Sequence, residues 1–148
     1  MGETAINSEK ELRRLGLKVT HPRTMVLDLF RNNAGSHLCA EEVFRLLTEQ
    51  GEDIGRATVY RILSQLDGAG AITRQVFDGI KSVYEINNGG HHDHLVCLQC
   101  GRVKEFDDSL IEKRQLKIAA DNGFHLAQHN LTLYGYCADC AERLRCSS

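Results

Sequence analysis

Four of the six cysteines in this 148-residue chain fall into two C-x-x-C pairs, Cys97 with Cys100 and Cys137 with Cys140, and 36 residues separate the pairs. A C-x-x-C turn brings two thiolates together. Two such turns supply four soft ligands in a tetrahedron, the closed coordination of structural zinc. Redox-active dithiols are the competing chemistry, and the presence of two matched pairs favours zinc. The spacer is longer than that of a compact zinc ribbon, so it should hold its own secondary structure. The pattern predicts a strand over 103–106, a helix over 109–122 and strands between 125 and 136.

A second constellation is His91-His92-Asp93-His94, three imidazoles and a carboxylate in four residues. In an extended segment the two-residue period sends His91 and Asp93 to one face and His92 and His94 to the other. One tetrapeptide would then seed two metal sites. The face of His91 and Asp93 can recruit Glu112 and His129. His129 shares strand parity with Leu131 and Leu133 and is expected to point inward with them. Candidate ligands for the other face are His37, Glu85 and Glu105. Mixed imidazole and carboxylate sets suit Fe(II), Mn(II) or Zn(II) rather than a thiolate-seeking metal.

These residues need a scaffold, and the composition allows one. Hydrophobic residues are 42% of the chain and charged ones 26%, which excludes wholesale disorder. No apolar run approaches the ~20 residues of a membrane span. Residues 1–11 are polar and lack the apolar stretch of a signal peptide, so the expected setting is the cytoplasm. Net charge is −2, but it is unevenly spread. Lys10, Arg13, Arg14, Lys18, Arg23 and Arg31 lie against three acids in residues 8–31, whereas residues 41–53 hold five acids and one arginine. A basic segment hidden in a neutral total leaves nucleic acid open as a partner.

Composition changes at Asn87-Asn88-Gly89-Gly90, which divides the chain into domains 1–86 and 91–148 joined by a hinge at 87–90. In the first, Ser8 is placed to N-cap a short helix that ends at Gly16, and Pro22 marks the start of a second helix. Met25, Val26, Leu29 and Phe30 form an apolar stripe on it. A third helix over 40–50 buries Val43, Phe44 and Leu47. A fourth runs from Arg56 to the Gly68-Ala69-Gly70 break with Val59, Ile62, Leu63 and Leu66 inward and Arg61 pointing out. Two strands over 71–77 and 80–86 follow, with Asp78-Gly79 suited to a two-residue type I′ hairpin. Helices followed by a hairpin give the order of a winged helix-turn-helix, the hairpin being the wing and the fourth helix entering the major groove. The whole is read as α+β: a winged-helix DNA-binding domain, then a small α/β zinc-containing dimerisation domain. Candidate DNA contacts are Lys18, Thr20, Arg23, Arg56, Thr58, Tyr60 and Arg61.

Together these motifs resemble the ferric uptake regulator (Fur) family. The resemblance is carried by Gly16-Leu-Lys-Val-Thr-His-Pro-Arg23, His37-Leu-Cys-Ala-Glu-Glu42, Ala57-Thr-Val-Tyr-Arg61, Val83-Tyr-Glu85, the run from His91 to Gly101, and the late Cys137-x-x-Cys140. It implies a metal-dependent repressor of iron-uptake genes that binds an AT-rich inverted repeat in double-stranded DNA as a homodimer, or a tetramer built from it. By the same resemblance, Tyr60 and Arg61 are recognition-helix contacts and Lys18 a minor-groove lysine. Cys97, Cys100, Cys137 and Cys140 hold structural zinc. His37, Glu85, His92, His94 and Glu105 form a regulatory site for Fe(II), with Mn(II) or Zn(II) able to substitute. His91, Asp93, Glu112 and His129 form a second site. Peroxide-sensing relatives tend to use aspartate where this chain has Glu85 and Glu105, which favours iron. Cys39 stands where iron regulators usually have serine and keeps a zinc-uptake regulator as the alternative. From other classes, a zinc hydrolase built on the histidines would need an open metal position, and a thiol switch would use the C-x-x-C pairs without zinc.

Overall fold

A computed structural model describes residues 2–146. The chain divides into two compact units, with the boundary between Gly90 and His91. Six helices and five strands are present among the described residues, in an α+β arrangement.

The first unit comprises α1 (Gly2–Arg14), α2 (His21–Asn32), α3 (Ala40–Glu49), α4 (Arg56–Ala69), β1 (Ile72–Gln75) and β2 (Val83–Ile86). Its core is one cluster drawn from every helix, including Leu12, Val26, Leu27, Phe30, Val43, Leu47, Val59, Leu63 and Leu66, closed below by Ile72 and Tyr84. The α4 stripe of Val59, Ile62, Leu63 and Leu66 is buried as its spacing requires. On α2 and α3 the stripes are rotated slightly: Leu27 is fully buried where Met25 is only partly so, and Phe44 stays half-buried at the α3 rim.

Ser8 does not cap a helix. Helix α1 begins at Gly2, and Ser8 is a buried residue inside it whose hydroxyl donates to the Asp28 carboxylate of α2. A tertiary hydrogen bond thus takes the side chain that local sequence assigns to a cap. Thr20 caps α2, accepting from the Arg23 N–H at 3.4 Å, and Pro22 lies in the first turn, where no intrahelical bond is lost. The α3 N-terminus is closed by the Glu42 carboxylate, which accepts from the Cys39 N–H at 3.3 Å.

Strands β1 and β2 pair antiparallel from Ile72 with Ile86 to Gln75 with Val83. Residues 76–82 therefore form the tip, and the two-residue type I′ turn is not made. Gly79 has φ +77°, but Asp78 does not share the left-handed conformation, which type I′ needs at both positions. The wing keeps a third neighbour: Leu38, just before α3, bridges Tyr84 with two backbone hydrogen bonds of 2.8 and 2.9 Å.

The second unit is a three-stranded sheet, β3 (Asp93–Cys97), β4 (Val103–Phe106) and β5 (Thr132–Gly135), with helices α5 (Ser109–Asp121) and α6 (Ala138–Cys146). Strand β3 is central, antiparallel to β4 and parallel to β5. Asp108 caps α5, its carboxylate accepting from the N–H groups of Leu110 and Ile111. Only one strand forms between 125 and 136, so His129 lies ahead of β5 in irregular backbone. Leu133 is 45% exposed, and the parity argument that tied His129 to a buried strand face therefore fails. No helix among the described residues is long and apolar enough to cross a membrane.

Helix α4 ends on Gly70, whose φ of +85° lets the chain reverse into β1, and nothing lies within 4 Å of where a Cβ would sit. Gly70→Ala should therefore cost backbone strain alone, about 1–2 kcal/mol of unfolding free energy by urea denaturation. A loss below the error of that measurement would show the αL cap is not needed.

Candidate metal centres and nucleic-acid interface

Cys97 ends β3 and Cys100 follows in the turn to β4, while Cys137 and Cys140 bracket the start of α6. Their four sulfurs lie within 4.8 Å of one another, none in a disulfide, and Cys100 Sγ is 3.8 Å from Cys137 Sγ. Sulfurs about 2.3 Å from a tetrahedral zinc are separated by roughly 3.8 Å, so the donors fit the ion. Electrostatics point the same way. Backbone N–H groups of Cys100 and Cys137 directed at its sulfur bring the Cys97 thiol down to about 6. Hydrogen bonding to Cys137 and burial push Cys140 up to about 12. Four thiols this close ionise together only around a cation.

The His91 to His94 run alternates as an extended segment should. On one face His91 Nε2 lies 3.2 Å from Asp93 Oδ1 and 3.3 Å from Glu112 Oε1 of α5, and His129 Nε2 is 2.8 Å from Glu112 Oε2. Asp93 is fully buried, and among the described residues neither of its carboxylate oxygens has a hydrogen-bond partner; Glu112 Oε1 and His129 Nε2 are likewise buried without one. Atoms at these distances but outside hydrogen-bond geometry converge on a common point rather than on each other. A buried carboxylate without hydrogen bonds is costly unless a cation compensates it. The donor set of two imidazoles and two carboxylates suits a borderline or hard divalent ion.

On the other face the rings of His92 and His94 are 5.0 Å apart, edge to face, and His92 Nε2 is 3.1 Å from Glu105 Oε1. The β3–β4 register places His94 opposite Glu105, which brings that carboxylate to the histidines. In the first unit His37 Nε2 lies 2.9 Å from Glu85 Oε2. The Leu38–Tyr84 bridge explains this contact, because antiparallel pairing at 38 and 84 sets 37 beside 85. Gln75 of the wing, which the sequence did not single out, donates from Nε2 to Glu85 Oε1 at 3.2 Å.

The first unit also carries the candidate DNA contacts. Arg61 is exposed on α4, and no hydrogen bond or ion pair ties its guanidinium among the described residues. Tyr60 is 50% exposed, and its hydroxyl donates to Glu41 Oε1 at 3.3 Å. Desolvation, then the Glu41 carboxylate, hold that phenol above its ordinary pKa, so it remains a donor. Arg56 Nε is 3.3 Å from Glu41 Oε2, and its guanidinium covers the Phe44 ring at 4.9 Å. Thr58 is half-buried and Lys18 exposed. Thr20 and Arg23 have structural work as well. Besides the Thr20 cap, Arg23 donates to Gln65 Oε1 of α4 at 3.0 and 3.1 Å and to the Lys18 carbonyl at 2.8 Å. The Arg23–Gln65 link has no signal in the sequence, since contacts between distant helices leave no periodic pattern.

Comparison with known proteins agrees with this geometry. Residues 14–134 match the model of the Ferric uptake regulator family. The "Ferric uptake regulation protein" of Bordetella parapertussis is 51% identical over 135 residues, which span 91% of this chain and 97% of that protein. Among solved structures, the ferric uptake regulator of Vibrio cholerae aligns with TM-score 0.81 at 50% identity, over 87% of this chain and 98% of that one. The Francisella tularensis regulator, solved with iron, aligns with TM-score 0.80 at 40% identity over 85% and 96%. With its winged helix, four clustered cysteines and histidine–carboxylate clusters, the chain belongs to the ferric uptake regulator family of metal-responsive transcriptional repressors of iron uptake.

Proposed function

We propose that the chain represses as a homodimer on an AT-rich inverted repeat, and that His37, Glu85, His92, His94 and Glu105 together form its Fe(II)-responsive regulatory site. The observation that carries this reading is the division of ligands between the units. His37 and Glu85 belong to the wing side of the DNA-binding unit, and the other three to the second unit. Side chains that must ligate jointly tie the two units, and hence the spacing of two recognition helices, to metal occupancy. When bound, the metal supplies a divalent positive charge that holds imidazoles and carboxylates in one geometry. By linkage, whatever factor that occupancy adds to DNA affinity, DNA adds to metal affinity.

Each residue then has a task. Arg61 and Tyr60 reach base edges from α4, with Arg56, Thr58 and Lys18 on the flanking backbone. Thr20 and Arg23 fix the start of α2 against α4 through Gln65 and take phosphate from there. His91, Asp93, Glu112 and His129 form the second site within the dimerising unit, and the four cysteines hold zinc that staples its small core. Dimerisation is supported by α5, which buries none of its residues and exposes Leu110, Leu116 and Ile118.

The deciding experiment is binding of a labelled AT-rich inverted-repeat duplex at fixed salt after chelation, with Fe(II), Mn(II) and Zn(II) returned separately. Fe(II) or Mn(II) should restore tight binding while about one zinc per chain stays bound at the four-cysteine site. Restoration by Zn(II) alone at low free concentration would reassign the chain to zinc uptake.

Two variants refine the test. Arg61→Ala should weaken operator binding by about 1–3 kcal/mol with metal content and far-UV spectrum unchanged; equal affinity would remove α4 from base recognition. Cys140→Ser should abolish retained zinc and the cooperative melt of the second unit. A zinc-free variant that still sediments as the native dimer would exclude a structural role for the ion.

A further inference from the structure

Two adjacent acids open α3, and they do different work. Glu42 folds back onto the Cys39 N–H and closes the helix end. Glu41 turns away from its own helix and meets α4, with one carboxylate oxygen 3.3 Å from Arg56 Nε and the other accepting from Tyr60 Oη at 3.3 Å. Arg56 and Tyr60 are four residues apart on α4 and so share one face. The Phe44 ring under Arg56 limits where its guanidinium can swing. Glu41 therefore presents to two candidate DNA-binding side chains the oxygens that a phosphate would present.

We propose that Glu41 is a specificity-determining residue, an internal phosphate surrogate that occupies Arg56 and Tyr60 until operator DNA displaces it. The proposal rests on α4 being the recognition helix. The site is open to exchange: the Arg56 side chain is 65% exposed and that of Glu41 40%. Such a solvated pair is weak and screened by salt, so a phosphate can replace it. On arbitrary DNA, a carboxylate on this face repels the backbone and keeps one cation from it. On the operator, base contacts by Tyr60 and Arg61 compensate for breaking the pair. Glu41 thus penalises non-specific binding more than specific binding, which is discrimination by an introduced repulsion.

Glu41→Gln removes the charge at nearly constant shape, its single amide oxygen able to accept from either Tyr60 or Arg56 but not from both. With the full-length, metal-loaded protein, affinity for a scrambled duplex should rise about threefold or more at low salt. The log–log salt slope on that duplex should steepen by about 1, as Arg56 gains a phosphate. Operator affinity should rise less, so the ratio between the two falls. Glu49, also on α3 and paired with Arg45 at 2.9 Å, provides the control for net charge. Glu49→Gln should leave the ratio unchanged, and adding Arg56→Gln to Glu41→Gln should restore the original slope. Scrambled-duplex affinity and slope that do not move in Glu41→Gln overturn the proposal. So does weaker binding to both duplexes, or an equal gain in Glu49→Gln. Arg61→Ala, run alongside, separates the two levels: if it still weakens operator binding, only the role of Glu41 has failed; if it does not, the recognition-helix reading has failed as well.

Discussion

Side-chain alternation along one extended segment, from His91 to Cys97, decides where the metal ligands of the second unit fall. Odd positions 91 and 93 meet Glu112 and His129, even positions 92 and 94 meet Glu105, and the strand delivers Cys97 to the other three cysteines at its end. Since the side-chain period is two, a slip of one residue would exchange the two histidine–carboxylate faces and separate every ligand from its partners. The register is pinned from both sides, by β4 antiparallel and β5 parallel. Zinc at the four cysteines would lock it further, because Cys97 and Cys137 lie at the ends of paired elements. An ion held there would fix the strand that also carries His92 and His94.

A comparable dependence holds in the first unit. The Leu38–Tyr84 bridge sews the segment before α3 to the wing, and it places His37 beside Glu85. Gln75, on the opposite wing strand, orients the Glu85 carboxylate. Arg23 crosses from α2 to Gln65 on α4, so α4 is held by side chains as well as by its apolar stripe. The His37–Glu85 pair, the wing and α4 are therefore parts of one packed unit, in which a shift at Glu85 cannot be absorbed locally.

What could be read from sequence follows the range of each interaction. The α4 stripe, the C-x-x-C pairs and the split of the His91 to His94 run are local patterns, and each has its expected consequence in the fold. Failures occur where a distant partner decides. Ser8 has the chemistry of a cap, but Asp28, twenty residues on, takes its hydroxyl and lets α1 extend toward the N-terminus. The wing tip opens to seven residues because pairing stops at Gln75 and Val83, whatever turn Asp78-Gly79 would adopt alone. His129 reaches Glu112 from irregular backbone, so the strand parity that singled it out is not what brings it there. Glu41, Gln65 and Gln75 act only through contacts across elements, which no spacing along the chain reveals.

The donor sets also explain how one chain can hold two metals with different roles. Divalent affinities rise toward copper and zinc at nearly any nitrogen and sulfur site, so preference alone cannot keep a sensor responsive to iron. Segregation by softness can. Four thiolates would take zinc into a closed tetrahedron that staples a small core, and zinc held there would not report on supply. The imidazole–carboxylate clusters have harder donors and weaker intrinsic selectivity, so their occupancy follows whichever divalent ion the cell leaves free. Buried Asp93, with no hydrogen bond among the described residues, would raise the cost of leaving a cation out of its cluster. Glu85 has a different environment, since the Gln75 amide already satisfies one of its oxygens. On the reading proposed above, Glu85 would therefore lose an ion at lower cost than Asp93, the property required of a ligand whose occupancy must track a changing metal concentration.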